Sequence, residues 1–203
     1  MNILIVSNKR TGAYQICKWL QKELSHLYSF GIESPETEID YKVIINPFSE
    51  KNEKYVDNFY KIENSIVLVY FEDYKNFIVK NNDILEKHFD FTICIKRENH
   101  KEHAESLLWT LQNNIQTEQY SIPNDWLTKY SYELYSLEKK LKLEYEEMKQ
   151  ILGLHVNYEF LFNNHFKRDI YYIVSYIGFI EKFASNFVKE TSRYRKLRKI
   201  NLI

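Results

Sequence analysis

Four stretches of the chain are apolar at nearly every position: Ile3 to Val6, Tyr41 to Ile45 (YKVII), Ser65 to Phe71 (SIVLVYF) and Asp90 to Lys96 (DFTICIK). They are rich in β-branched residues, bounded by turn formers, and continuous rather than alternating, which predicts strands of a sheet covered on both faces. A weaker fifth candidate is Leu154 to Phe162 (LHVNYEFLF). Between them the apolar positions recur at helical spacing. Gln15 to Leu27 carries Ile16, Leu20, Leu24 and Leu27 on one face, and Ala104 to Ile115 groups Leu107, Leu108 and Leu111. Trp126 to Leu152 carries a stripe of Leu134, Leu137, Leu141, Tyr145, Met148 and Leu152, with Gly153 placed to end it, and a last helix is expected over Asp169 to Lys189. Strands alternating with helices require crossover connections. The expectation is therefore one α/β domain over residues 1–203, with a mainly parallel sheet flanked by helices.

Charge narrows the choice of partners. The 28 basic and 28 acidic side chains balance, so neither nucleic acid nor an anionic membrane is expected as a partner, and any anion site must be local. Cys17 and Cys94 lie far apart inside predicted elements, as small buried hydrophobes of a reducing compartment do. MNILIV at the start lacks the basic region of a signal peptide, and no apolar stretch has the length of a membrane span, so a cytoplasmic protein is the expectation. Abundant Lys, Asn, Ile and Tyr with four Gly and three Pro is a composition of AT-rich genomes, phage and certain bacteria among them.

The first predicted strand runs directly into SNKRTGAYQ, Ser7 to Gln15. Ligands of an open parallel sheet bind beyond the carboxyl ends of its strands, and the helix that follows presents its free N–H groups and the positive end of its dipole to this turn. Gly12 allows close backbone approach, and Lys9 and Arg10 add mobile charge, so a phosphate or sulfate group is the natural occupant; a plain surface connection is the alternative. The G-x-x-x-x-G-K-[ST] pattern of nucleoside triphosphatases is absent.

A second strand-end arrangement lies at TICIKRENHKEHAESLLWTLQNN, Thr92 to Asn114: a buried strand ends at Arg97, a polar loop follows, and a helix is expected to open near Ser106. An arginine fork with a hydroxyl suits a terminal phosphate dianion. His100 and His103 share the loop, but no third ligand accompanies them and no metal is expected. Taken with KRTGAYQ, this stretch resembles the sulfotransferases that use 3′-phosphoadenylyl sulfate (PAPS). Their first loop is of the type [KR]-[ST]-G-[ST]-[ST], matched here by Arg10, Thr11 and Gly12, with Ala13 and Tyr14 in place of the usual hydroxyl residues; R-E-N-x-x-x-x-A-x-S-L resembles their later motif.

The resemblance implies a P-loop-nucleotide-kinase-like sulfotransferase fold and PAPS as donor, with 3′,5′-adenosine diphosphate as product. It implies that Arg10, Thr11, Gly12, Ala13, Tyr14 and Gln15 wrap the 5′-phosphosulfate, and that Arg97 and Ser106 hold the 3′-phosphate. From KETSRYRKLRK, Lys189 to Lys199, it adds Arg193 and Arg195 as further 3′-phosphate contacts, although a charge run is also an ordinary solvated tail. NYEFLF resembles the family's YE-D-L strand, with Tyr158 and Glu159 in structural roles. Sulfuryl transfer to an alcohol requires stabilisation of the departing phosphate oxygen, a task for Arg10, and a base for the acceptor proton. Glu33 and Glu36, in the acidic segment FGIESPETEID after the first helix, are the candidate bases. The acceptor is a hydroxyl of a small molecule, glycan or peptide. Two alternatives stay open: a non-catalytic nucleotide-binding or interaction protein that keeps the fold, and a nucleotide kinase or phosphotransferase.

Overall fold

A computed structural model describes residues 2–31, 42–47, 63–76, 88–114 and 121–159. Among the described residues five strands form one sheet in which every pairing is parallel: β1 (Asn2–Ser7), β2 (Lys42–Ile45), β3 (Ser65–Tyr70), β4 (Phe91–Lys96) and β5 (Leu154–Asn157), in the order β2-β3-β1-β4-β5. The helices are α1 (Ala13–Gly31), α2 (His100–Asn113), α3 (Asn124–Lys129) and α4 (Ser131–Met148), with a further helical stretch at 71–76. The α/β class and the parallel sheet read from the apolar runs are what the chain adopts.

β1 is the centre of the sheet and shows why its sequence is apolar at every step. Ile3 and Ile5 point to one face, where they pack with Ile16, Leu20 and Leu24 of α1; Leu4 and Val6 point to the other and pack with Phe71, Tyr74 and Met148 of α4. Alternating side chains thus meet two separate apolar layers, and neither parity can be polar. Each such side chain, 2% exposed or less, contributes about 1.5–3 kcal/mol by leaving water. Cys17 and Cys94 belong to these layers; both thiols are free and buried, and burial pushes each up to about 12.

The chain leaves β1 through α1 towards β2 on one side and later recrosses β1 to reach β4 on the other. The strand order therefore reverses at β1, and the carboxyl ends of β1 and β4 lie side by side there.

Several expected boundaries moved. The helix predicted over Trp126 to Leu152 is broken at Tyr130 (φ -104°, ψ 22°); α3 is tied to α2 there, with the Trp126 ring edge-on to Trp109 at 5.0 Å and its Nε1 donating to Gln112 at 3.1 Å. α4 stops at Met148, so Gly153 does not end it. Gly153 instead sits at φ 155° where a Cβ would collide with the carbonyl of Thr92; the sheet demands glycine there. α2 begins at His100 rather than Ala104, since Asn99 caps it by accepting from the Glu102 N–H at 3.2 Å. Ser106 consequently lies in the second turn of α2 and does not open the helix. The helix expected over Asp169 to Lys189 lies outside the described residues.

Candidate functional site

The β1–α1 turn has an unusual backbone. Arg10 and Gly12 adopt φ 65° and 66°, while Lys9, Thr11 and Ala13 do not have positive φ. Positive φ at every second residue is a backbone pattern from which anion-binding concavities are built, and here it stands directly before the N-terminus of α1. No acidic residue occupies the first turn of α1. Arginine at φ 65° is a costly choice, of order 1 kcal/mol or more, and is held by its surroundings.

Two groups from the β4–α2 segment hold it. The His103 ring lies with Nε2 at 2.7 Å from the Lys9 carbonyl, which can only accept, so Nε2 carries the proton and donates. His103 is 2% exposed; burial above all, with Arg97 adding to it against the opposing pull of the Lys9 carbonyl, pushes its pKa down to about 4 and keeps it neutral. Arg97 Nη1 donates to the next carbonyl, Arg10 O, at 3.5 Å. Adjacent carbonyls of the turn are thus turned towards α2, which leaves the turn's N–H groups to face elsewhere.

Arg10 Nε in turn donates to Ser106 Oγ at 3.3 Å. Residues that the sequence assigned to opposite ends of a ligand therefore touch, and Arg10, Arg97 and Ser106 form one contiguous cluster at the adjacent ends of β1 and β4. Thr11 is buried and donates its hydroxyl to Asn8 O at 2.9 Å, so that hydroxyl serves the turn; Ala13 is buried, Gln15 half-buried and Tyr14 exposed. Lys9 places its ammonium 5.4 Å from the Tyr70 ring centre.

The Arg97 side chain is 10% exposed. Its Nη2 meets Glu102 at 3.3 Å, Glu159 lies 3.9 Å from its Nε, and the Tyr158 ring covers the guanidinium at 4.5 Å. Nε itself has no hydrogen-bond partner among the described residues, and neither has the hydroxyl of Ser7, the fully buried last residue of β1. Buried polar groups left open in this way are uncommon in folded proteins, and here two belong to the ends of neighbouring strands.

No protein-family model and no characterised protein matches this chain. The site must be read from its own chemistry.

Glu33, Glu36, Arg193 and Arg195 lie outside the described residues. Among the described residues no three His, Cys, Asp or Glu side chains are gathered as a metal site, and no helix is long and apolar enough to cross a membrane. His103 is the member of the cluster whose part the sequence did not announce; Glu159, expected in a structural role, accepts from the Glu98 and Asn99 N–H groups. A histidine one turn before a candidate ligand residue, and a Tyr-Glu pair directly after β5, were the available signals; neither says which loop its side chain will hold.

Proposed function

We propose that the chain is a PAPS-dependent sulfotransferase with the P-loop-nucleotide-kinase-like fold of that family, in which the cluster at the ends of β1 and β4 binds the donor nucleotide. The observation that carries this reading is the contiguity of Arg10, Ser106 and Arg97 across the two strand ends, beside a turn with alternating backbone handedness. The strand order supports it too, because it reverses at β1 and β1 and β4 are neighbours, the place where ligands of open parallel sheets bind.

The residues present fit a doubly phosphorylated adenosine. The turn from Arg10 to Ala13 and the start of α1 receive the 5′-phosphosulfate, Arg97 and Ser106 receive the 3′-phosphate, and phosphate oxygens replace the Arg10–Ser106 bond. The open donors at Arg97 Nε and Ser7 Oγ supply additional capacity. PAPS supplies a sulfuryl group whose sulfur–oxygen bond breaks as the acceptor oxygen attacks. Arg10 then stabilises the charge growing on the departing phosphate oxygen. Glu33 or Glu36 takes the acceptor proton in this reading.

One observation favours a second reading. Arg97 is already flanked by two carboxylates, and His103 and Arg97 both tie the turn shut, which is how a purely structural network in a non-catalytic protein would be built. Calorimetric titration with 3′,5′-adenosine diphosphate separates the two. The sulfotransferase reading expects binding without magnesium that is lost in Arg97→Ala, whereas no binding by the wild-type chain refutes it and leaves the network structural. A preference for ATP with magnesium would favour phosphoryl transfer instead.

A further inference from the structure

The two carboxylates at Arg97 are held in different ways. Glu159 follows β5, and both of its oxygens are committed to the backbone: Oε2 accepts from the Glu98 N–H at 3.0 Å and Oε1 from the Asn99 N–H at 2.9 Å. Its side chain is 29% exposed, and its 3.9 Å separation from Arg97 Nε lies beyond hydrogen-bond reach. It therefore sets the field around the guanidinium without using up a donor. Its neighbour Tyr158 stacks on the same guanidinium at 4.5 Å and fixes the plane of the fork. The loop is gripped on its other side as well, since Glu98 Oε1 accepts from Asn157 Nδ2 at 2.6 Å and from the Tyr145 hydroxyl at 3.1 Å.

Glu102 is different. Its side chain is 61% exposed, and it meets Arg97 Nη2 at 3.3 Å from the first turn of α2. The pair is open to water on the Glu102 side only, so the solvated carboxylate can leave while the buried guanidinium stays in place. A phosphate dianion, with more charge and three acceptor oxygens, competes well for the same donors.

We infer that Glu159, with Tyr158, is the positioning element that aims Arg97 at the ribose 3′-phosphate, and that Glu102 occupies the phosphate's place on Arg97 until the nucleotide displaces it. This rests on the nucleotide-binding reading proposed above and adds a division of labour between two acids that the reading does not assign. Neither acid touches the sulfuryl group, so their effect is confined to ligands that carry a 3′-phosphate.

The test is calorimetric titration of wild type, Glu159→Gln, Tyr158→Leu and Glu102→Gln with 3′,5′-adenosine diphosphate and, in parallel, with adenosine 5′-monophosphate. Loss of an aimed, charge-assisted contact predicts roughly tenfold weaker binding of the bisphosphate to Glu159→Gln and Tyr158→Leu. Release of Arg97 predicts about two- to fivefold tighter binding of the bisphosphate to Glu102→Gln. Affinity for the monophosphate stays level in all three, a selectivity that general loosening of the fold would not produce. Glu102 is exposed, so Glu102→Gln tests the inference even where the Glu159 variant fails to fold. If wild type binds and Glu102→Gln binds no tighter, or the Glu159 and Tyr158 variants lose both ligands alike, the inference is overturned while the functional reading survives. If wild type binds neither ligand, both fall together.

Discussion

The buried His103 gives the most direct test of how the turn is held. Its pKa lies at about 4 in the fold, against about 6.5 for an unfolded histidine. Between those values the unfolded chain binds a proton that the native chain does not, so stability is complete above pH 6.5 and falls as pH drops towards 4. Between pH 7 and pH 5 this one group is worth about 2 kcal/mol, near 1.4 kcal/mol for each pH unit inside the window. His88 and His155 are also pushed down, mainly by burial, and act in the same direction, whereas Glu144, pushed up by burial, acts in the opposite one. A difference between two proteins removes them. Urea unfolding of wild type and His103→Gln, followed by tryptophan fluorescence at pH 7 and pH 5, should show wild type losing about 2 kcal/mol more than the variant. Glutamine retains an N–H donor of similar reach and cannot titrate. Equal losses in the two proteins would mean that His103 is protonated, or open to water, in the native chain, and the account of the Lys9 contact would be wrong.

Other consequences are simpler to read. Gly153→Ala should lower stability by about 2 kcal/mol or more in thermal unfolding, because the new methyl meets the Thr92 carbonyl in a backbone conformation that L residues disfavour. Ser7→Ala should leave the unliganded protein unchanged or more stable by up to about 1 kcal/mol, since it removes a buried hydroxyl with no hydrogen-bond partner among the described residues, yet weaken nucleotide binding; a clear loss of stability without ligand would show that the hydroxyl is satisfied. Cys17 and Cys94 should resist an aromatic disulfide reagent until denaturant is added, and rapid native-state labelling would contradict their burial.

The parts of the architecture visible in the sequence were those set by local pattern. A strand buried on both faces must be apolar throughout, which is why Ile3 to Val6 and Ser65 to Phe71 stood out. β5 was fainter because all of its side chains are only half-buried. The break at Tyr130 carries no proline or glycine, and the aromatic contact that accompanies it, Trp109 with Trp126, joins two helices and leaves no mark in the apolar periodicity. The site divides in the same way. Arg10, Gly12 and Arg97 were marked by their places at strand ends. The hydrogen bonds that organise them span 96 residues from Arg10 to Ser106 and 94 from Lys9 to His103. Which carbonyl a histidine reaches at that range is decided by packing, whereas the Thr11 hydroxyl is taken up by Asn8 O only three residues away, a local side-chain-to-backbone bond.

Strand order also governs how the molecule is made. Among the described strands β1 comes earliest in the chain and lies innermost in the sheet, and its two partners come much later: Asn2 lies against Ser65, and Ile3 against Phe91. A nascent chain must carry an apolar segment with both edges bare until β3 and then β4 have emerged, and closure over such distances is slow. The time needed to close the sheet around β1 is therefore set by these separations and is a property distinct from the final stability.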